Sequence, residues 1–137
     1  MKVSDYMSAT VVTANLHDGL RQTYIRMRER DIRHMPVLDA QERVVGIVSD
    51  RDLRRPSTVD VGPDTIDAFS LDDTVQVEAV MTGNPSVVTP DTPLRDALDR
   101  FVTHRYGALP VVGPDGRPVA MLSAYDLLRA FQDRNRA

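Results

Sequence analysis

Arg33-His34-Met35-Pro36-Val37-Leu38 returns 74 positions later as Gly107-Ala108-Leu109-Pro110-Val111-Val112, and the same offset holds for tens of residues around it. Under it Met7 falls on Met81, Leu20-Arg21 on Leu94-Arg95, Met27 on Phe101, Ser49 on Ser123, Asp52 on Asp126 and Leu53 on Leu127. A chain that resembles itself at a fixed offset uses one supersecondary unit twice. Two related clefts are then expected, and the differences between the copies indicate which of them works.

Working outward, each copy predicts a βαββα unit. In the first, the β-branched run Thr10–Thr13 predicts a strand, and Leu16, Leu20, Thr23, Tyr24 and Met27 recur at the spacing of an amphipathic helix. His34–Leu38 and Val44–Val48 predict an antiparallel pair joined by the polar loop Asp39–Arg43, with a short helix opening at Ser49. The second copy repeats the order. Ser86–Thr89 is its first strand, Leu94, Ala97, Leu98, Phe101 and Val102 mark its helix, and Gly113-Pro114-Asp115-Gly116 turns between Ala108–Val112 and Pro118–Leu122. Its last helix is expected from Ser123 to about Phe131, and Val3–Met7 and Val77–Met81 to form one helical turn or two each. The expected organisation is therefore repeat one over 1–54, an acidic linker over 55–76, repeat two over 77–131 and a polar tail over 132–137. Within the linker Ile66, Phe69 and Leu71 are the bulky apolar anchors, and partial order is expected there.

Composition narrows the function. At 137 residues and 42% hydrophobic the chain is one compact domain by length, and each repeat alone would be marginal, so a shared core is expected. The absence of cysteine excludes disulfides, thiolate metal sites and a cysteine nucleophile, and fits a reducing compartment. No stretch approaches the roughly 18 apolar residues of a membrane span, so the expectation is a cytoplasmic protein without membrane or nucleic-acid partners. A net charge of −3 argues against the basic face that nucleic acid requires. Of 17 basic residues 16 are arginine, a bias that points to genome composition more than to function.

The most pointed local feature is Gly46-Ile47-Val48-Ser49-Asp50-Arg51-Asp52, matched by Ala120-Met121-Leu122-Ser123-Ala124-Tyr125-Asp126. A serine closes a strand and an aspartate follows three residues later as a helix begins. Structurally this is a capping box, with an acid placed favourably for the helix dipole. Chemically it offers amides, a hydroxyl and a carboxylate, suited to a phosphate at the amides and a ribose diol at the aspartate. The two uses are compatible.

The doubled pattern, with Arg33-His34-Met35-Pro36-Val37-Leu38, Gly46-Ile47-Val48-Ser49 and Asp52-Leu53, resembles a tandem pair of CBS domains, the module named after cystathionine beta-synthase. The resemblance covers about Val3–Leu53 and Val77–Leu128. It implies an α/β fold of two βαββα repeats packed about a pseudo-two-fold axis, with clefts that take adenosine compounds such as AMP, ADP, ATP or S-adenosylmethionine. It assigns Ser49, Asp52, Ser123 and Asp126 to the ribose and phosphate side. Val12, Thr13, Val37 and Ile47, with Val88, Thr89, Val111 and Met121, would wall the adenine, and Met35-Pro36 and Ala108-Leu109-Pro110 belong to the same binding set. Arg33, His34 and Arg51 stand where the family places cationic phosphate contacts. The resemblance also implies a homodimer built through helices.

The copies differ where charge matters. Repeat two replaces Arg33-His34 by Gly107-Ala108, Asp50-Arg51 by Ala124-Tyr125 and Gly46 by Ala120, so phosphate charge comes mainly from repeat one and unequal sites are expected. His17, His34 and His104 share no metal-ligand spacing, and no nucleophile elbow is present. Arg51, Arg54 and Arg55 are either phosphate contacts or a solvated helix end, and Met7, Met27, Met35, Met81 and Met121 are core. The expected function is a stand-alone, non-enzymatic regulatory pair without catalytic cofactor or metal, binding an adenine nucleotide and signalling to an unidentified protein partner. The alternative is a ligand-independent dimerisation scaffold whose Ser/Asp pairs only cap helices.

Overall fold

The computed structural model describes residues 1–54 and 71–136. Its elements are β1 (Ala14–Asn15), α1 (Leu20–Glu29), β2 (His34–Leu38), β3 (Val44–Ser49), α2 (Asp50–Arg54), β4 (Thr82–Gly83), α3 (Leu94–His104), β5 (Ala108–Val112), β6 (Pro118–Ser123) and α4 (Ala124–Arg136). Single 3-10 turns at Val3–Asp5 and Val77–Ala79 stand where one helical turn or two were expected in each copy. The chain is mixed α/β, in agreement with the βαββα pattern. Both expected antiparallel hairpins form: β2 pairs with β3 from His34↔Ser49 to Leu38↔Val44, and β5 with β6 from Ala108↔Ser123 to Val112↔Pro118.

The first strand of each copy departs from expectation. Thr10–Thr13 is not a strand; β1 lies at Ala14–Asn15, parallel to β2 through Ala14↔Val37. Ser86–Thr89 is reduced to one parallel bridge, Val88↔Val111. The reason is proline. Val88 N–H donates to the Pro110 carbonyl (3.1 Å) and Val112 N–H to the Val88 carbonyl (2.8 Å). Extending the ladder backwards would need an N–H from Pro110, which proline lacks, and Pro36 holds the same place in the first copy.

The chain divides into two compact units, Val12–Asn84 and Met1–Val11 with Pro85–Ala137. These units cut across the two repeats, because each copy's leading segment packs on the other copy. Val77 N–H donates to the Asp18 carbonyl (2.8 Å) and Glu78 N–H to that of Leu16 (3.0 Å). At the same offset, Val3 N–H donates to the Thr92 carbonyl (2.9 Å) and Ser4 N–H to that of Pro90 (3.0 Å). Val77 is fully buried with Ala14, Leu20, Tyr24, Met27, Met35, Val37, Val48, Leu53 and Leu71. Val3 is likewise buried with Val88, Leu94, Ala97, Phe101, Leu109, Val111, Ala120, Leu122 and Ala130. Each such aliphatic side chain contributes roughly 1.5–3 kcal/mol by leaving water.

Of the linker anchors, Leu71 is buried in the Val12–Asn84 core, whereas Ile66 and Phe69 lie outside the described residues. The expected polar tail is corrected: Gln132–Arg136 continues α4. Leu98 and Val102, expected on the packed face of α3, are 46% and 71% exposed. The two hairpin turns are equivalent. Gly116 sits at φ 81°, and Glu42, its counterpart, is forced to φ 64°.

Candidate ligand site

Both Ser/Asp pairs form the reciprocal box. Ser49 N–H donates to Asp52 Oδ2 at 2.9 Å and Asp52 N–H to Ser49 Oγ at 3.1 Å; the second copy repeats this at 2.8 and 3.1 Å. Asp50 N–H donates to the Arg33 carbonyl and Ala124 N–H to that of Gly107, both at 3.0 Å. Three of the amides expected to receive a phosphate are thus engaged within each unit. Asp126 is buried, and its Oδ1 also accepts Arg129 Nη1 at 3.2 Å. The counterpart of Arg129 is Arg55, outside the described residues.

Register sorts the expected wall residues. His34 pairs with Ser49 and Pro36 with Ile47, so these four share one face of the β2–β3 hairpin. Ala108 pairs with Ser123 and Pro110 with Met121 in the same way. Met35 and Leu109 alternate to the opposite face and stand in the cores, as do Val37, Val88 and Val111. Val12 and Thr13 are half-buried and Thr89 is exposed.

The charged groups of the first copy gather at the same hairpin end. Arg33 is largely exposed, and its Nη1 lies 3.7 Å from Asp50 Oδ2, which Arg54 Nη2 also approaches at 3.7 Å. Arg51 is exposed on α2. Burial holds the His34 imidazole below its ordinary pKa of 6.5; Asp50 and Asp52 pull it upward, and Arg33 adds to the lowering. The Ser49 hydroxyl, cross-strand from His34, and the Arg33 guanidinium are donors that an anion could use, whereas the Asp50 and Asp52 carboxylates oppose one. Among the described residues no group of three or more His, Asp or Glu is placed to hold a metal.

Other residues were missed. Asp50, the partner of Arg33, is one, and Asp73 is another. α1 has Gly19 at its N-cap without a side-chain cap, and Asp73 Oδ1 accepts Gln22 N–H at 3.0 Å from 51 residues away. Arg26 and Arg100 bond the backbone before the first strand of each copy, at Thr13 and Val87. Their common offset was the available signal.

A separate apolar groove of about 560 Å³ lies on the Met1–Val11/Pro85–Ala137 unit, between α3 and α4. Leu98, Leu127, Leu128 and Phe131 line it, with Arg95 and Arg134 among its polar residues. It contains none of the residues expected to bind nucleotide.

A protein-family model, the CBS domain, matches residues 3–57 and again 77–133. A 17.7 kDa protein of Acidianus ambivalens is 30% identical over 132 residues, 96% of this chain and 74% of that protein. Homoserine O-acetyltransferase of Methanohalobium evestigatum is 25% identical over 131 residues, 96% of this chain but 24% of the enzyme. Among solved structures, CBSX2 from Arabidopsis thaliana superposes with a TM-score of 0.84 at 26% identity, over 99% of this chain and 97% of that one. CBSX2 in complex with AMP gives 0.79 at 27% identity, over 96% and 97%.

Proposed function

The chain belongs to the CBS domain family, and from that premise we propose that it is a regulatory module that binds an adenosine-containing ligand, AMP, ADP or ATP, and passes occupancy to a partner protein in the cytoplasm. The observation that carries this is the repeated hairpin face: an apolar Pro36–Ile47 or Pro110–Met121 pair beside a serine whose box partner is an aspartate. An adenine suits the apolar pair, and the ribose hydroxyls suit the aspartate's carboxylate. CBSX2, solved with AMP, is 27% identical and supports the ligand class. Arg33, His34 and Arg51 favour the first copy for the phosphate, since Gly107, Ala108 and Tyr125 hold the equivalent places. No helix among the described residues is long and apolar enough to cross a membrane.

The scaffold reading has one observation in its favour: both boxes are closed on themselves without ligand. Thermal shift against AMP, ADP, ATP, NAD and S-adenosylmethionine separates the two. Ligand at a hundredfold excess over Kd stabilises by about 2.7 kcal/mol, and no shift with any adenosine compound would favour the scaffold.

The family resemblance also leads us to a homodimer. Leu98 and Val102 on α3 and Leu128 and Phe131 on α4 remain exposed at 46%, 71%, 65% and 68%, an apolar face suited to a second copy. The equivalents of Val102 and Leu128 in the first copy are Arg28 and Arg54, so the second copy carries the apolar contact.

A further inference from the structure

Two arginines outside the proposed ligand contacts occupy the same place in the two copies. Arg26 Nη1 donates to the Thr13 carbonyl at 2.9 Å and lies 3.4 Å from Asp18 Oδ2. Arg100 Nη1 donates to the Val87 carbonyl at 2.6 Å and to Ser86 Oγ at 3.2 Å. Arginine and carbonyl share the offset of 74. Both carbonyls stand just before the first laddered residue, Ala14 or Val88, and face away from β2 or β5, because the N–H of the same peptide is the one that faces the ladder. A guanidinium from α1 or α3 supplies a donor to this unladdered backbone, and its charge makes the bond stronger than an amide would.

We infer that Arg26 and Arg100 are positioning residues for the ligand site, each fixing the backbone that carries Val12–Thr13 in one unit and Ser86–Val87 in the other. The inference rests on the adenosine-site proposal, in which the first of these segments walls the base. The two clamps are unequal. Asp18 Oδ2 accepts Asn15 N–H at 2.9 Å as well as meeting Arg26, so one carboxylate ties the β1 turn to the clamp. In the second copy Thr92 Oγ1 takes the equivalent Thr89 N–H at 3.0 Å and offers Arg100 no counter-charge. The first clamp is therefore the stiffer, in the same copy that holds the phosphate cations.

The test is calorimetric titration of AMP, ADP and ATP into the full chain and its Arg26→Met and Arg26→Lys variants, at a temperature where circular dichroism shows each to be folded. Arg26→Met is expected to weaken all three nucleotides by a common factor of roughly tenfold, equivalent to about 1.4 kcal/mol, leaving the ATP-to-AMP affinity ratio unchanged. Arg26→Lys, which keeps the charge and folds more safely, is expected to lose two- to fivefold with the same constant ratio. A merely structural role would lower the melting midpoint of the free protein and leave these dissociation constants alone. Unchanged affinity in Arg26→Lys would overturn the inference even if Arg26→Met fails to fold, and so would a changed ATP-to-AMP ratio, which marks direct phosphate contact. If the unaltered chain binds none of the three, the adenosine-site proposal itself falls, a different outcome from binding that ignores Arg26.

Discussion

Replacing Asp126 by alanine separates what the Ser/Asp box does for the fold from what it does for a ligand. Asp126 is 7% exposed; one carboxylate oxygen accepts Ser123 N–H at 2.8 Å and the other Arg129 Nη1 at 3.2 Å. Loss of a capping interaction costs typically about 1 kcal/mol. That figure already includes leaving the half-buried Ser123 amide without its acceptor, since the capping interaction and this hydrogen bond are the same one. The Arg129 ion pair adds little, because that arginine side chain is half exposed and water screens it. The expected destabilisation is therefore about 1 kcal/mol in ligand-free protein. Ser123→Ala, which removes the acceptor for Asp126 N–H, should cost about 1 kcal/mol. Urea unfolding of both variants and of the double variant measures this. The double variant should lose less than the sum, because each residue's contribution depends on the other. A loss below about 0.5 kcal/mol for Asp126→Ala, the scale of an ordinary surface substitution, would refute the view that the box is a structural element.

Three further outcomes are expected. His34 has a native pKa below its unfolded value, so the unfolded chain takes up the proton first; its contribution is fully present above pH 6.5, and stability falls as pH drops from there toward the native pKa. Urea unfolding between pH 5 and 8 should show a smaller slope in His34→Gln over that window. Glu42→Gly should stabilise by up to about 1 kcal/mol, relief of the left-handed backbone that Gly116 adopts at the equivalent turn, offset by glycine's greater freedom when unfolded; a lower urea midpoint would contradict it. Leu128→Glu places a charge on the exposed α3/α4 face, and on the proposed homodimer sedimentation velocity should show the variant as monomer and the unaltered chain as dimer; equal sedimentation of the two would contradict it.

Much of the fold was legible because the copies confirm each other. The two hairpins were placed to within one residue, since apolar runs bounded by Asp39–Arg43 and Gly113–Gly116 leave little freedom. The first strands were misplaced because β-branching in Thr10–Thr13 and Ser86–Thr89 signals propensity, whereas the ladder obeys the donors its partner owns, and Pro36 and Pro110 own none. That reason was present in the sequence. The exchange of leading segments was not, because Val3 and Val77 look alike and nothing local tells which copy either will join. Asp73 capping α1 from 51 residues away was equally invisible. At the hairpin face, strand alternation could have separated Ile47 and Met121 from Met35 and Leu109, whereas the half-buried state of His34 and the electrostatic influence of Asp50 and Asp52 on it needed the third dimension.

The most direct test of the account is calorimetric titration of AMP and ATP into the unaltered chain, Asp52→Ala and Asp126→Ala. The account predicts measurable binding to the unaltered chain and unequal losses in the two variants, one aspartate serving the tighter site. Absence of binding, or equal and negligible losses in both, would contradict it.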